Sequence, residues 1–108
     1  MARHDRFEWD DAKAKANIRR HRVSFTDAMR VLSDEYSPDY HVEEFDATHS
    51  QDEDRYITAG SDPFAREIVL MIVWCDREGI TRIISARAAT RSERKAYERE
   101  IERRKNHP

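Results

Sequence analysis

The chain has 108 residues, 38% hydrophobic and 39% charged, with a formal net charge of −2. That length, without a Pro, Gly or Ser-rich linker, is read as one domain over residues 1–108, with a modest core and largely solvated helices. The longest apolar run, Ile68 to Cys75, is far short of the roughly 20 residues of a membrane helix, no secretory segment opens the chain, and a lone cysteine excludes an intrachain disulfide, so the expected compartment is the cytoplasm.

Arg6 to Trp9 reads as a short strand, and Asp10 caps a helix from Asp11 to Arg20 in which acids precede bases, as the macrodipole favours. Ala12, Ala16 and Ile18 are the face expected against a sheet. Ser24-Phe25-Thr26-Asp27 reads as a capping box, and Phe25, Ala28, Met29 and Leu32 recur at i, i+3, i+4, i+7. This predicts a second amphipathic helix to about Ser33 with those four residues in the core. From Tyr36 to Asp54 the chain is polar and acidic, and only Tyr40 to Glu43 reads as extended. Arg55 to Ala59 predicts a strand closed by a loop from Gly60 to Pro63. Ile68 to Cys75 predicts a strand buried on both faces, and Asp76 to Gly79 a hairpin turn into a strand from Ile80 to Arg87. Thr90-Arg91-Ser92-Glu93 is a second capping signature, opening a charged helix through Tyr97 and Ile101 whose far end is expected to fray. Together these elements describe an α+β domain: an antiparallel sheet of three to four strands packed with two N-terminal helices and one C-terminal helix.

Charge is unevenly distributed. Residues 1–22 hold seven Lys/Arg against four Asp/Glu, residues 23–65 two against eleven, and residues 91–108 seven against four. Both ends are therefore basic within an acidic whole, which leaves room for a local polyanion site. The five histidines, His4, His21, His41, His49 and His107, form no His-x-x-x-His pair, and there is no Cys-x-x-Cys, so no metal site is expected. Gly60 and Gly79 read as turn residues, no phosphate-cradling loop exists for a nucleotide cofactor, and no Gly-x-Ser-x-Gly elbow is present.

What remains is a polar constellation: Lys13, Arg20 and His21 on the first helix, Glu53 and Arg55 before the central strands, and Ser85, Arg87, Arg91 and Glu93 around the last strand. Lys13, Asn17, Arg20 and His21 fall at i, i+4, i+7 and i+8 and share a helical face. Ser85 and Arg87 alternate on one face of a strand, with Arg91 following at a helix start, a corner suited to phosphate. Taken singly, Arg20, Glu93 and Tyr97 read as ordinary surface groups.

Phe7-Glu8-Trp9-Asp10 with Lys13, Asn17, His21, Val23 and Phe25, then Ile83 to Arg91 with Glu93 and Tyr97, together with Glu53-x-Arg55 and Gly60, resemble the BrnT toxin family over about residues 7–97. The resemblance implies a fold similar to RelE-type ribonucleases, metal-independent RNA cleavage that arrests growth, and neutralisation by a ribbon-helix-helix antitoxin that also binds operator DNA, in a hetero-oligomer. Two positions depart from the family pattern: Arg22 stands where glycine is usual, and Ala88 where a basic residue is common. A left-handed backbone at position 22 would cost Arg about 1 kcal/mol relative to glycine.

Metal-free RNA cleavage uses the ribose 2′-hydroxyl as nucleophile and needs a base, an acid and cations for the developing charge. Arg87 and Arg91 are the expected phosphate clamps, joined by Lys13. His21 or Glu53 would exchange the protons, the two roles being interchangeable at this level. Arg20, Arg55, Ser85 and Tyr97 complete the set as RNA contacts. The competing reading is a non-catalytic module that binds RNA or a partner chain through the same basic corner.

Overall fold

The computed structural model describes residues 2–4, 6–33, 41–48, 50 and 52–106. His49, His107 and the 34–40 part of the acidic stretch lie outside them, as does Tyr40 of the expected extended segment. The described chain opens on two short strands, β1 (Ala2–His4) and β2 (Phe7–Trp9), and continues into helices α1 (Asp11–His21) and α2 (Phe25–Leu32). Strands β3 (His41–Phe45), β4 (Arg55–Asp62), β5 (Ala65–Arg77) and β6 (Ile80–Ala88) follow, and helix α3 (Arg91–Asn106) ends the fold. The strands form one sheet in the order β1-β2-β6-β5-β4-β3. None of the helices is long and apolar enough to cross a membrane.

The α+β class, the β4-β5-β6 meander and the three helices stand as expected. The sheet is wider than three or four strands because Phe7–Trp9 docks parallel on β6, Ala2–His4 folds back antiparallel beside it, and His41–Phe45 pairs with β4. β5 and β6 are joined by a two-residue turn with positive φ at Glu78 (56°) and Gly79 (85°), the mirror-image turn whose twist matches that of the strands. Only glycine adopts such a φ without strain, so Glu78 is the residue in tension there. The loop expected at Gly60 to Pro63 starts later: β4 runs to Asp62, with Gly60 opposite Leu70 and Ser61 opposite Val69. Burial explains the extension, since Asp62 finds Arg30 Nη2 at 3.1 Å and the Phe64 N–H at 2.9 Å.

Alternation along β5 divides the core into two layers. Leu70 and Ile72 face α1 and α2, joining Trp9, Phe25, Ala28, Val31, Ile83 and Ala86, whereas Val69 faces α3 with Ala59, Tyr97 and Ile101. Phe25 and Ala28 are buried as expected, Met29 and Leu32 flank the core, and Val31 is the further buried residue of that helix. Trp9 meets Phe25 edge-on with centroids 6.0 Å apart. Cys75 is a buried free thiol, as expected for a small hydrophobe, and burial pushes its pKa up.

Two expectations about helices are corrected. α1 does not present Ala12, Ala16 and Ile18 to the sheet; all three are exposed, Ile18 at 49%, and Ala14 and Asn17 face inward instead. α3 does not depend on a partner for its far end: Ile101 is 8% exposed in the second core layer, and Arg104 Nη1 donates to the His41 carbonyl at 2.7 Å. Apolar burial at Tyr97 and Ile101 holds a helix most of whose other positions are charged.

Candidate functional site

β2 pairs with β6 only at Thr81 and Arg82, so the outer edge of β6 beyond Arg82 has no strand beside it among the described residues. α1 takes that place. Asn17 accepts from the Ala86 N–H at 3.2 Å and donates from its amide to the Ala86 carbonyl at 2.8 Å and the Val23 carbonyl at 2.9 Å. One buried side-chain amide thus stands in for the next strand, satisfying backbone groups that would otherwise be left bare. Asn17 is a buried peg, and its neighbours on the same helical face flank an opening.

That opening is a cleft of about 580 Å³ lined by Lys13, Ala16, Asn17, Arg19, Arg20 and His21 of α1 with Ile84 and Ser85 of β6. Among the described residues no carboxylate lines it. Arg19, Arg20 and His21 form the last turn of α1, where the helix dipole favours cations. Among the described residues none of Lys13, Arg19 and Arg20 is engaged in an ion pair. The helix stops because Arg22 adopts the left-handed conformation, φ 58° and ψ 30°, with its N–H on the Ile18 carbonyl at 2.8 Å. The left-handed turn at Arg22 directs the chain so that Val23 enters the core.

Ser85 and Arg87 lie opposite Val73 and Met71 on β5, so they share a face and stand roughly 7 Å apart along β6. The Arg87 guanidinium is held end-on by Glu93, Nη1 to Oε1 at 2.7 Å and Nη2 to Oε2 at 2.8 Å. Glu93 also closes the capping box that starts α3: its Oε1 accepts the Thr90 N–H at 2.9 Å and its own N–H donates to Thr90 Oγ1 at 3.3 Å. The Arg87 guanidinium, and after it the Thr90 N–H, lower the Glu93 carboxyl to about 2. Arg91 is exposed at the first position of α3.

The fold therefore gathers Lys13, Arg20, His21 and Ser85 around one cleft, with Arg87 two residues further along β6 and Arg91 at the start of α3. It does not bring the rest of the expected set there. Glu53 pairs with Arg77 at 3.1 Å, and that guanidinium lowers its carboxyl below the usual value. Arg55 lies opposite Cys75, four residues or roughly 13 Å along β5 from the level of Arg87, and its Nε is buried without a partner among the described residues. Tyr97 is buried, with its hydroxyl taking the Ser61 N–H at 3.3 Å. Arg19 is the cleft residue that sequence reading missed; its only signal was its place beside Arg20 at a basic helix end. Among the described residues no three of His, Cys, Asp and Glu form a group able to hold a metal ion.

The family model for the ribonuclease toxin BrnT of type II toxin-antitoxin systems matches residues 9–93. The chain belongs to the BrnT family. It is thus the toxin of a type II toxin–antitoxin pair, with an antitoxin as partner. The fold is similar to the crystal structure of the Brucella abortus ribonuclease toxin BrnT, with a TM-score of 0.55 at 21% identity, covering 77% of this chain and 94% of that one. Comparison with curated proteins gives no match. The matched span of this BrnT toxin contains the α1–β6 cleft, Arg87, Arg91 and Glu93, and leaves Tyr97 outside.

Proposed function

We propose that this toxin is a metal-independent endoribonuclease that cleaves RNA through attack of the ribose 2′-hydroxyl on the adjacent phosphorus. The observation that carries this is the cleft at the open edge of β6, where Lys13, Arg19, Arg20 and His21 line the opening with Ser85 and no carboxylate of the described residues joins them. Cations unopposed by acids attract a phosphodiester and stabilise the charge it gains in the transition state. Arg87 and Arg91 would grip nonbridging oxygens next to the cleft, and His21 would exchange the protons of the attacking and leaving oxygens. Glu53, at the other end of the sheet, has no part in this arrangement.

The antitoxin is proposed to be a ribbon-helix-helix protein that covers the site and alone carries the complex to operator DNA. A groove of about 540 Å³ between α3 and strands β3 to β5 suits its basic segment: Val42, Ala59 and Met71 supply apolar ground, and Glu43 and Glu44 line it with them.

Incubation of purified toxin with an RNA oligonucleotide in excess chelator tests the reading. Cleavage is expected to persist and to leave 2′,3′-cyclic phosphate and 5′-hydroxyl ends, and Arg87→Ala is expected to lose about a hundredfold or more in rate. Binding of RNA without cleavage would establish the non-catalytic module instead. Calorimetric titration with the antitoxin at low and high salt, with cleavage followed in parallel, tests the partner; binding that leaves cleavage intact removes it.

A further inference from the structure

Arg87 has five N–H donors, and the geometry accounts for three of them. Nη1 and Nη2 each give one to Glu93, and Nη1 gives another, at 3.4 Å, to the Ala88 carbonyl. What is left is the side-on edge of the fork, Nε–H and the second Nη2–H, two parallel donors that no acceptor among the described residues takes. The side chain is 42% exposed, so this edge is reachable. A phosphate oxygen pair fits such an edge as a carboxylate pair fits the end-on one.

Glu93 is itself fixed from behind. Its carboxylate closes the Thr90 capping box, and the Ala89 N–H is anchored on the Val69 carbonyl at 2.9 Å, so the turn from β6 into α3 holds the acid in place. We propose that Glu93 is a positioning residue that grips Arg87 by its end-on edge and thereby presents the side-on edge to the scissile phosphate. This rests on the reading that Arg87 acts on RNA. A free arginine at this exposed strand end would sample many rotamers, and the bidentate grip removes that freedom before RNA arrives.

Glu93→Gln is the informative substitution, because glutamine still serves at the third position of a capping box while its amide NH2 opposes the guanidinium and ends the bidentate grip. In single-turnover cleavage it is expected to lower kcat roughly tenfold to a hundredfold with KM little changed and the thermal midpoint preserved. In the Arg87→Ala background the same substitution is expected to cost nothing further. Wild-type rates in Glu93→Gln beside an impaired Arg87→Ala overturn the positioning role and leave the Arg87 reading intact. Wild-type rates in Arg87→Ala remove both. An equal loss in either background also overturns it, because Glu93 then acts independently of Arg87.

Side-chain NMR of the guanidinium with a 2′-O-methyl oligonucleotide, which lacks the nucleophile, gives a readout without turnover. The Arg87 Nε–H resonance is expected to shift while the Nη protons stay in slow exchange. Disappearance of the Nη signals on RNA addition would show that RNA displaces Glu93, making the ion pair a lock and overturning the proposal.

Discussion

Two helices of this toxin are basic in sequence, and the fold uses them oppositely. On α3, Arg94 pairs with Glu98 at 3.0 Å, and Arg103 and Arg104 converge on Glu100 at 2.6 and 3.2 Å. On α1, Lys13, Arg19 and Arg20 turn to a cleft that no carboxylate of the described residues lines. The difference lies in spacing: α3 places acids three or four residues from its bases, within reach on one face, whereas nothing acidic precedes Arg19 or Arg20 at those distances. Net charge of a segment therefore does not distinguish a paired helix from one with unpaired bases; the presence or absence of an acid at helical spacing does.

The hardest test of that contrast is His21→Gln, at the end of α1. Cleavage is expected to fall at least about a hundredfold, because a general acid–base participant contributes on that scale, while the thermal midpoint stays where it was. Arg103→Ala on α3 is expected to change neither. Single-turnover kinetics of both variants decide it, and an active His21→Gln toxin would return that side chain to a helix-end role.

Next in size is Asn17→Ala. It would leave the Ala86 N–H and carbonyl and the Val23 carbonyl buried without their partner, a loss of about 2–3 kcal/mol, or roughly 10 °C or more in a domain of this size. Ile101→Ala on α3 is expected to cost about as much through lost apolar burial. The two part company in activity: the first loosens α1 from β6 and opens the cleft, and the second leaves the cleft intact. Denaturant unfolding beside cleavage assays makes the comparison, and equal activity in both variants would deny Asn17 its place in the site.

These residues also show what a sequence can and cannot reveal. The caps were legible because their partners lie three residues away: Ser24 Oγ accepts the Asp27 N–H at 3.0 Å, and Asp10 Oδ1 the Lys13 N–H at 2.9 Å. The β5–β6 turn was legible for the same local reason, whereas a left-handed Arg22 was raised only as a condition, from the glycine usual at that place in the family. Asn17 was not, because its partner Ala86 is 69 residues away and an inward amide in a helix looks like a solvated one until an unpaired strand edge is placed beside it. The parallel docking of β2 on β6 is equally non-local. Lys13, His21, Ser85, Arg87 and Arg91 were named through spacing and family resemblance, and so was Glu53, which the fold leaves with Arg77.

A smaller gain is expected from Arg22→Gly. With φ at 58° the arginine sits in a conformation glycine adopts freely, so the substitution is expected to stabilise by about 1 kcal/mol, part of it offset by the greater freedom of glycine in the unfolded chain. Thermal denaturation measures it. A fall in stability would mean that the Arg22 side chain contributes more than its backbone costs.

The smallest effect returns to the two helices. Affinity for single-stranded RNA falls with salt in proportion to the phosphates neutralised, each contact adding about 0.7 to the slope of log K against log salt. Arg19 lines the cleft, whereas Arg103 is committed to Glu100. Arg19→Ala is accordingly expected to lower the slope by about 0.7, and Arg103→Ala to leave it unchanged, because a charge already neutralised within the protein releases no counterion from RNA. Fluorescence titrations with a 2′-O-methyl oligonucleotide between 50 and 200 mM salt resolve the difference, since over that range one contact changes affinity by roughly two- to threefold. Equal slopes in the two variants would place the RNA on α3 as much as on α1, and would sink the argument that acid spacing along a basic helix marks its binding face.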